Sequence, residues 1–363
     1  MKMLCVFIDA LNPEYLKYMP FLNSARKECL HGSLEVPLGY TSIIASFMTG
    51  LWQDKHKVFD LFTYDEKERG KLDGKYFLAL KNILKNRRFF YTPLKEKRRY
   101  FKPSLEKAWA QKNSLPSQTV FDVLEKEGRS FEVIDWPNHF KGRKGKIFFS
   151  NSWKKVLKLA KKSRADFVFI HFLDLEIAHK YGIESRKTIE TAKRIDEACE
   201  QLYNKSENVL FFSDHGMDDI EKEFDIITEL KNLNLKFGKD FVYLAGSTTA
   251  EFWFKNKKAE SAVIKLLKKL KCGKIVDKKS FHIKTSSDLI FLANFKTAFY
   301  PNFFSKKRFK AMHGWNPKKQ KTFYILKNNK KLGRKNARMI DFLPTILKLM
   351  HLKEAKCDGK SLV

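Results

Sequence analysis

The chain has 363 residues, with 72 Lys or Arg against 41 Asp or Glu, a formal net charge of +31. An apolar fraction of 43% excludes a disordered chain, and no run reaches the ~18 apolar residues of a membrane-spanning helix. The length accommodates one large domain or two smaller ones, and the charge suits either an anionic partner or a lysine-coated soluble surface.

The first apolar run, residues 3–8, reads as a buried strand ended by Asp9. It stops too soon for a signal peptide, and no small-residue cleavage site follows. Residues 62–118 are rich in Lys, Arg and aromatics, notably in 87–91 and 97–101, and read as an insertion. Basic residues beside aromatics suit stacked bases and phosphates, or else form an amphipathic cap whose aromatics face a core. A helix is expected over 120–128 with a glycine cap at Gly128, followed by a strand over 131–136. Further strands are expected at 166–173, 208–213, 241–244, 288–292 and 322–326, with helices over 185–203 and 259–270 between them. Apolar strands alternating with helices predict an α/β fold with a mostly parallel sheet and helices on both faces. We read residues 1–363 as a single domain, with 222–308 forming a smaller cap subdomain. Cys5, Cys29, Cys199, Cys272 and Cys357 are odd in number and lack metal-type spacing, which suits a reduced, cytoplasmic setting.

Acidic residues recur where these strands end. Asp9 closes the first, Asp174 lies just past the 166–173 run with His179 beyond it, and Asp214-His215 follows 208–213. His313 stands apart in Met312-His313-Gly314-Trp315. Ligands in open α/β sheets bind at the carboxyl ends of strands, and Asp with neutral His suits zinc or a similar divalent ion. Each residue alone has a structural reading: Asp after a strand often caps a turn, and a lone His is commonly a core residue. Their ordered recurrence favours a site.

Phe7-Ile8-Asp9-Ala10-Leu11 resembles the opening metal-binding strand of the type I phosphodiesterase and nucleotide pyrophosphatase family, in the alkaline phosphatase superfamily. Phe212-Ser213-Asp214-His215-Gly216-Met217 resembles its central Asp-His-Gly motif, and Met312-His313-Gly314-Trp315 its late His-Gly motif. Thr49-Gly50-Leu51 followed by His56, the helix begun by Asp341, and the tail Asp358-Gly359-Lys360-Ser361-Leu362 are similar to later parts of the core. The resemblance implies an alkaline-phosphatase-like fold and hydrolysis of a phosphodiester or pyrophosphate bond, with two divalent ions, zinc or manganese. It implies that Asp9, Asp214 and His215 hold one ion together with the nucleophile oxygen of Thr41, and that Asp174, His179 and His313 hold the other. Thr41 follows Gly39-Tyr40 and is the expected nucleophile, forming a phosphoryl-threonine; Ser42 is the alternative.

The chain departs from the family in two places. Asp174 and His179 differ by five positions where the family spaces these ligands by four, so Glu176 is an alternative; Asp174 is expected to reach the ion and Glu176 to point elsewhere. The nucleophile segment is one residue short before Thr49-Gly50, and Ile44 stands near the place of an asparagine found in many nucleotide pyrophosphatases. A Cys-x-Pro-x-Arg nucleophile of the sulfatase type is absent. Other readings are a phosphomonoesterase, a metal-binding pseudoenzyme, and a basic nucleic-acid-binding protein; on the leading reading the partner is an anionic phosphate ester, with no stable nucleic-acid partner expected. Ser247-Thr248-Thr249 resembles a segment between the two His motifs of related enzymes and either borders the pocket or makes a turn.

Overall fold

The computed structural model describes residues 1–39, 41–67, 99–104, 115–134, 146–148, 153–304, 308–329 and 332–363. Its centre is a nine-stranded sheet. The strands are β1 (Met3–Ile8), β2 (Leu30–Glu35), β3 (Phe131–Ile134), β4 (Lys146–Phe148), β5 (Phe167–Phe172), β6 (Asn208–Phe212), β7 (Phe323–Lys327), β8 (Gly333–Arg334) and β9 (Ala337–Arg338). They lie in the order β8-β2-β7-β6-β1-β5-β3-β4, with β9 beside β2. The run from β6 to β4 is parallel throughout, and β7 alone is antiparallel to its neighbours.

Successive side chains on a strand face opposite sides, and β1 shows the consequence. Met3, Cys5 and Phe7 pack into one core with Phe169, Phe212 and helices α1 (Ser42–Thr49), α2 (Val120–Lys126) and α5 (Phe342–Leu349). Leu4, Val6 and Ile8 pack into the opposite core with α3 (Trp153–Lys162) and α4 (Arg186–Tyr203). Because both faces are covered, these strands are apolar without alternation. On α4, apolar residues three and four apart (Ala192, Ile195, Ala198, Cys199, Leu202) make the buried stripe, and Ser185 Oγ caps the helix by accepting from Thr188 N–H at 3.2 Å. All eight residues of α1 are buried, so this helix lies inside the molecule.

A second layer stands beside the sheet. The strands Phe241–Ala245, Thr249–Phe254, Leu289–Ala293 and Gly273–Ile275 pair in that order, all antiparallel, with the helix Lys257–Lys269 against them. Phe62, Tyr100 and Phe101 join this layer's core, so these three aromatics of the basic segment are packing residues. Residues 87–91 and 97–98 of that segment lie outside the described residues.

The C-terminal tail fastens α1. Gly50 ends α1 with φ 62°, a left-handed backbone that favours glycine. Its carbonyl accepts from Asp358 N–H (2.8 Å) and Gly359 N–H (3.2 Å). Asp341 Oδ1 accepts from Lys360 N–H at 2.9 Å, and Thr345 Oγ1 from Leu362 N–H at 3.0 Å. All five cysteines are free thiols. Among the described residues no helix is long and apolar enough to cross a membrane.

Candidate active site

The parallel order of the sheet determines which loops meet. β1 lies between β5 and β6, with Phe7 opposite both His171 and Phe212, so the chain leaves all three strands on the same side. Asp9 continues β1, its N–H donating to the Phe172 carbonyl at 2.9 Å. Asp214 lies two residues past the end of β6. Ser213 Oγ accepts from Leu11 N–H (2.9 Å) and donates to the His215 carbonyl (2.8 Å), fastening the β1 and β6 loops together.

Two groups result, buried throughout except for the half-buried Glu176. In each, one ligand atom from every residue lies within 4.8 Å of the others. Asp9, Asp214 and His215 form the first, with His215 Nε2 3.4 Å from Asp9 Oδ1 and 3.1 Å from Asp214 Oδ2. Glu176, His179 and His313 form the second, with Glu176 Oε2 3.0 Å from His179 Nε2 and Oε1 3.6 Å from His313 Nε2. The groups adjoin: the His215 and His313 rings stack at 3.6 Å, tilted by 7°.

The second group contains Glu176 where the sequence expectation had Asp174, which belongs to neither group. The chain turns at once after β5 into a 3-10 helix, Asp174–Ile177, continued by Ala178–Tyr181. Residues three apart on such a turn share a face, and residues five apart do not. Glu176 therefore joins His179 and Asp174 does not. Spacing was the available signal, since the departure from the family pattern already singled out Glu176.

Backbone carbonyls orient the histidines. His215 Nδ1 lies 3.0 Å from the Gly216 oxygen and His179 Nδ1 2.7 Å from the Ala311 oxygen. With Nδ1–H donating, each Nε2 lone pair turns into its group, as in metal-binding histidines. Burial opposes a charge on His215, but Asp214 foremost, then Asp9 and Glu176, outweigh it and push its pKa up to about 10. A pocket that pulls a proton onto a fully buried imidazole is electrostatically suited to a cation. Burial likewise opposes charge on His179, and Glu176 reverses it, raising the pKa. His313 is held well below its ordinary value by burial and then by the His215 and His179 charges. Asp9 Oδ1 and Glu176 Oε1 are buried polar atoms that make no hydrogen bond among the described residues, which is costly unless another partner binds there.

Thr41 precedes α1 without capping it: its side chain bonds no helix N–H, and its buried Oγ1 makes no hydrogen bond among the described residues. Ser42 differs, its Oγ donating to the Leu38 carbonyl at 3.0 Å. Gly39 and Ile43, on either side of Thr41, line a small cleft with His215, His313, Gly314 and Gln320. The start of α1 thus faces the junction of the two groups. His56 lies deeper, between Ser46 Oγ (Nε2, 3.0 Å) and the Val58 N–H (Nδ1, 3.1 Å), with burial pushing its pKa down to about 3; it is a neutral packing residue under α1. His171, which sequence reasoning passed over inside an apolar run, places Nε2 3.2 Å from Asp9 Oδ2 and stacks on Phe7. Only the β1–β5 register reveals that contact.

Residues 3–316 match the family described as type I phosphodiesterase / nucleotide pyrophosphatase. The chain belongs to that family. It is accordingly a phosphoric ester hydrolase of the alkaline phosphatase superfamily. Its fold is similar to that of murine ectonucleotide pyrophosphatase / phosphodiesterase 5, with a TM-score of 0.74 at 13% identity over 99% of this chain and 98% of that one. An inactive variant of the murine protein in complex with AMP gives 0.73 at 13% identity, covering 99% and 97%. The human counterpart gives 0.73 at 15% identity with the same coverage. No curated protein sequence matches.

Proposed function

We propose that this hydrolase cleaves a phosphodiester or pyrophosphate bond of a nucleotide, nucleotide sugar or related ester, using two divalent cations and a covalent phosphoryl-threonine at Thr41. The observation that carries the reading is the abutment of two three-residue ligand sets, with the residues on either side of Thr41 lining a cleft shared with His215 and His313. Asp9, Asp214 and His215 would hold one cation and Glu176, His179 and His313 the other. Three mixed N/O donors per ion, each set leaving room for a further ligand, fit zinc, and manganese is the alternative. Bound there, such ions would offset the charge that gathers on the attacking and leaving oxygens of an in-line displacement.

The residues of the chain account for the remaining requirements. Thr41 Oγ1 has no competing hydrogen bond among the described residues and can form the bond to phosphorus as the leaving oxygen departs with its bonding pair and takes up the proton that the hydroxyl gives up. Water then cleaves the threonine ester, regenerating the hydroxyl. The first N–H groups of α1 lack helical partners and suit the phosphoryl oxygens. The net charge of +31 raises the local concentration of anionic substrates. AMP bound to the murine neighbour makes nucleotide esters the first substrates to try.

Acid quenching during turnover of an aryl nucleotide diester, followed by peptide mass mapping, tests the intermediate. A nucleotidyl adduct on Thr41 is expected. An adduct on Ser42, or turnover with Thr41→Ala undiminished, would contradict the assignment.

A further inference from the structure

We propose that Gln320 is a positioning residue that holds the Asp214-His215 and His313 loops in register and so sets how the two cation groups meet. The inference rests on the two-cation reading above, and its observations lie outside both groups. Gln320 is uncharged and 3% exposed. Its Oε1 accepts from the Gly314 N–H at 3.0 Å, and its Nε2 donates to Asp218 Oδ2 at 2.9 Å and to the Met312 carbonyl at 3.3 Å. Gly314 and Met312 flank His313, whereas Asp218 ends the stretch that begins at Asp214. One carboxamide therefore ties together the backbone on both sides of a ligand of one group and the loop that carries two ligands of the other.

The surrounding backbone shows that this placement is built in. The short strands Asp218–Asp219 and Ala311–Met312 pair antiparallel, with Asp218 opposite Met312. Two residues on each side make a weak ladder, and Gln320 crosses it at its Asp218–Met312 end. The loop that delivers Gln320 is itself pinned: the Trp315 indole N–H donates to the Thr297 carbonyl at 2.7 Å, and Gln320 N–H donates to the Asn316 carbonyl at 3.1 Å. One residue further, a side chain at Gly216 would meet the Lys321 carbonyl at 2.6 Å, so only glycine lets the two loops approach so closely. On the far side, Thr248 Oγ1 lies 3.3 Å from the His313 carbonyl and 3.0 Å from the Gly314 carbonyl, donating to them. Gly314 is thus held by its N–H from Gln320 and by its carbonyl from Thr248. This gives the Ser247-Thr248-Thr249 segment a role behind the ligand rather than in the pocket.

Groups that orient metal ligands typically change metal affinity about 10- to 100-fold when removed. The test uses Gln320→Met, which keeps the side chain's length and loses every hydrogen bond, with Thr248→Val as a second variant that keeps shape on the opposite side. The metal-free proteins are compared by amide hydrogen exchange across residues 310–320, and then by titration with zinc alone. Faster exchange at Gly314 in both variants, with at least a tenfold loss of zinc affinity and little change in the melting temperature of the metal-free chain, is expected. Unchanged exchange would overturn the clamp. Faster exchange with wild-type zinc affinity would overturn its role in positioning ligands. A wild-type chain that binds no zinc or manganese would instead overturn the two-cation reading, leaving the clamp to be judged by exchange.

Discussion

Glu176→Gln keeps the shape of the side chain and removes its charge, and it separates the two candidates for the third carboxylate of the site. In the structure Glu176 spans its group, 3.0 Å from His179 and 3.6 Å from His313. A four-ligand zinc site is worth roughly 10–16 kcal/mol, so one ligand carries about 3 kcal/mol and its loss weakens binding about 100-fold. Competition of the metal-free protein against a chromophoric chelator reads this directly: one ion of two should bind about 100-fold more weakly. Asp174→Asn should bind both ions as the wild type does, because Asp174 lies in neither group. A second readout needs no metal. Glu176 raises the His179 pKa against the opposing effect of burial, so Glu176→Gln should lower it in an NMR titration. If Asp174→Asn loses an ion while Glu176→Gln keeps both, the helical-face reasoning after β5 is wrong.

Thr41→Ala should lower kcat by orders of magnitude with little loss of stability, since Oγ1 makes no hydrogen bond among the described residues; Ser42→Ala should keep turnover and lose about 1 kcal/mol through its bond to the Leu38 carbonyl. Chemical denaturation and steady-state kinetics on the two variants distinguish these effects. Burial, and then the nearby Asp60, push the Glu251 carboxyl up to about 8. A raised carboxyl pKa means that the folded state binds the proton more tightly, so stability falls as pH rises from about 4.5 to about 8, by at most about 1.4 kcal/mol per pH unit. Glu251→Gln should remove that slope, and melting curves at pH 5 and 9 that fall in parallel with the wild type would contradict it. Gly359→Ala should lower the melting temperature, because an added methyl would overlap the Ile340 carbonyl and push the tail off Gly50.

Much of this architecture could be read from the chain because it depends on short-range patterns. Unbroken apolar runs such as 3–8 marked strands buried on both faces, and Asp9 and Asp214 followed from their place at strand ends. His215 and His313 stood out through their glycine neighbours. Glu176 was harder, since a five-residue spacing shows only that a turn is irregular, and the turn's own geometry decides which carboxylate faces inward. Gln320 and His171 carried no signal. One stands in a lysine-rich loop and the other in an apolar strand, and each acquires a role only when residues far apart in sequence are brought together. The role of Tyr100 and Phe101 also depended on the tertiary fold, because aromatic residues beside arginine suit a nucleobase and a core equally well until their burial is known.

Stripping the protein with a chelator, and then restoring zinc or manganese stepwise while following hydrolysis of an aryl nucleotide diester, tests the proposed chemistry most directly. Activity should vanish on stripping and return to a plateau at two equivalents of ion per chain, with Glu176→Gln requiring far higher metal to reach it. Hydrolysis that persists undiminished in the metal-free protein, or a plateau reached at one equivalent, would contradict the two-cation site.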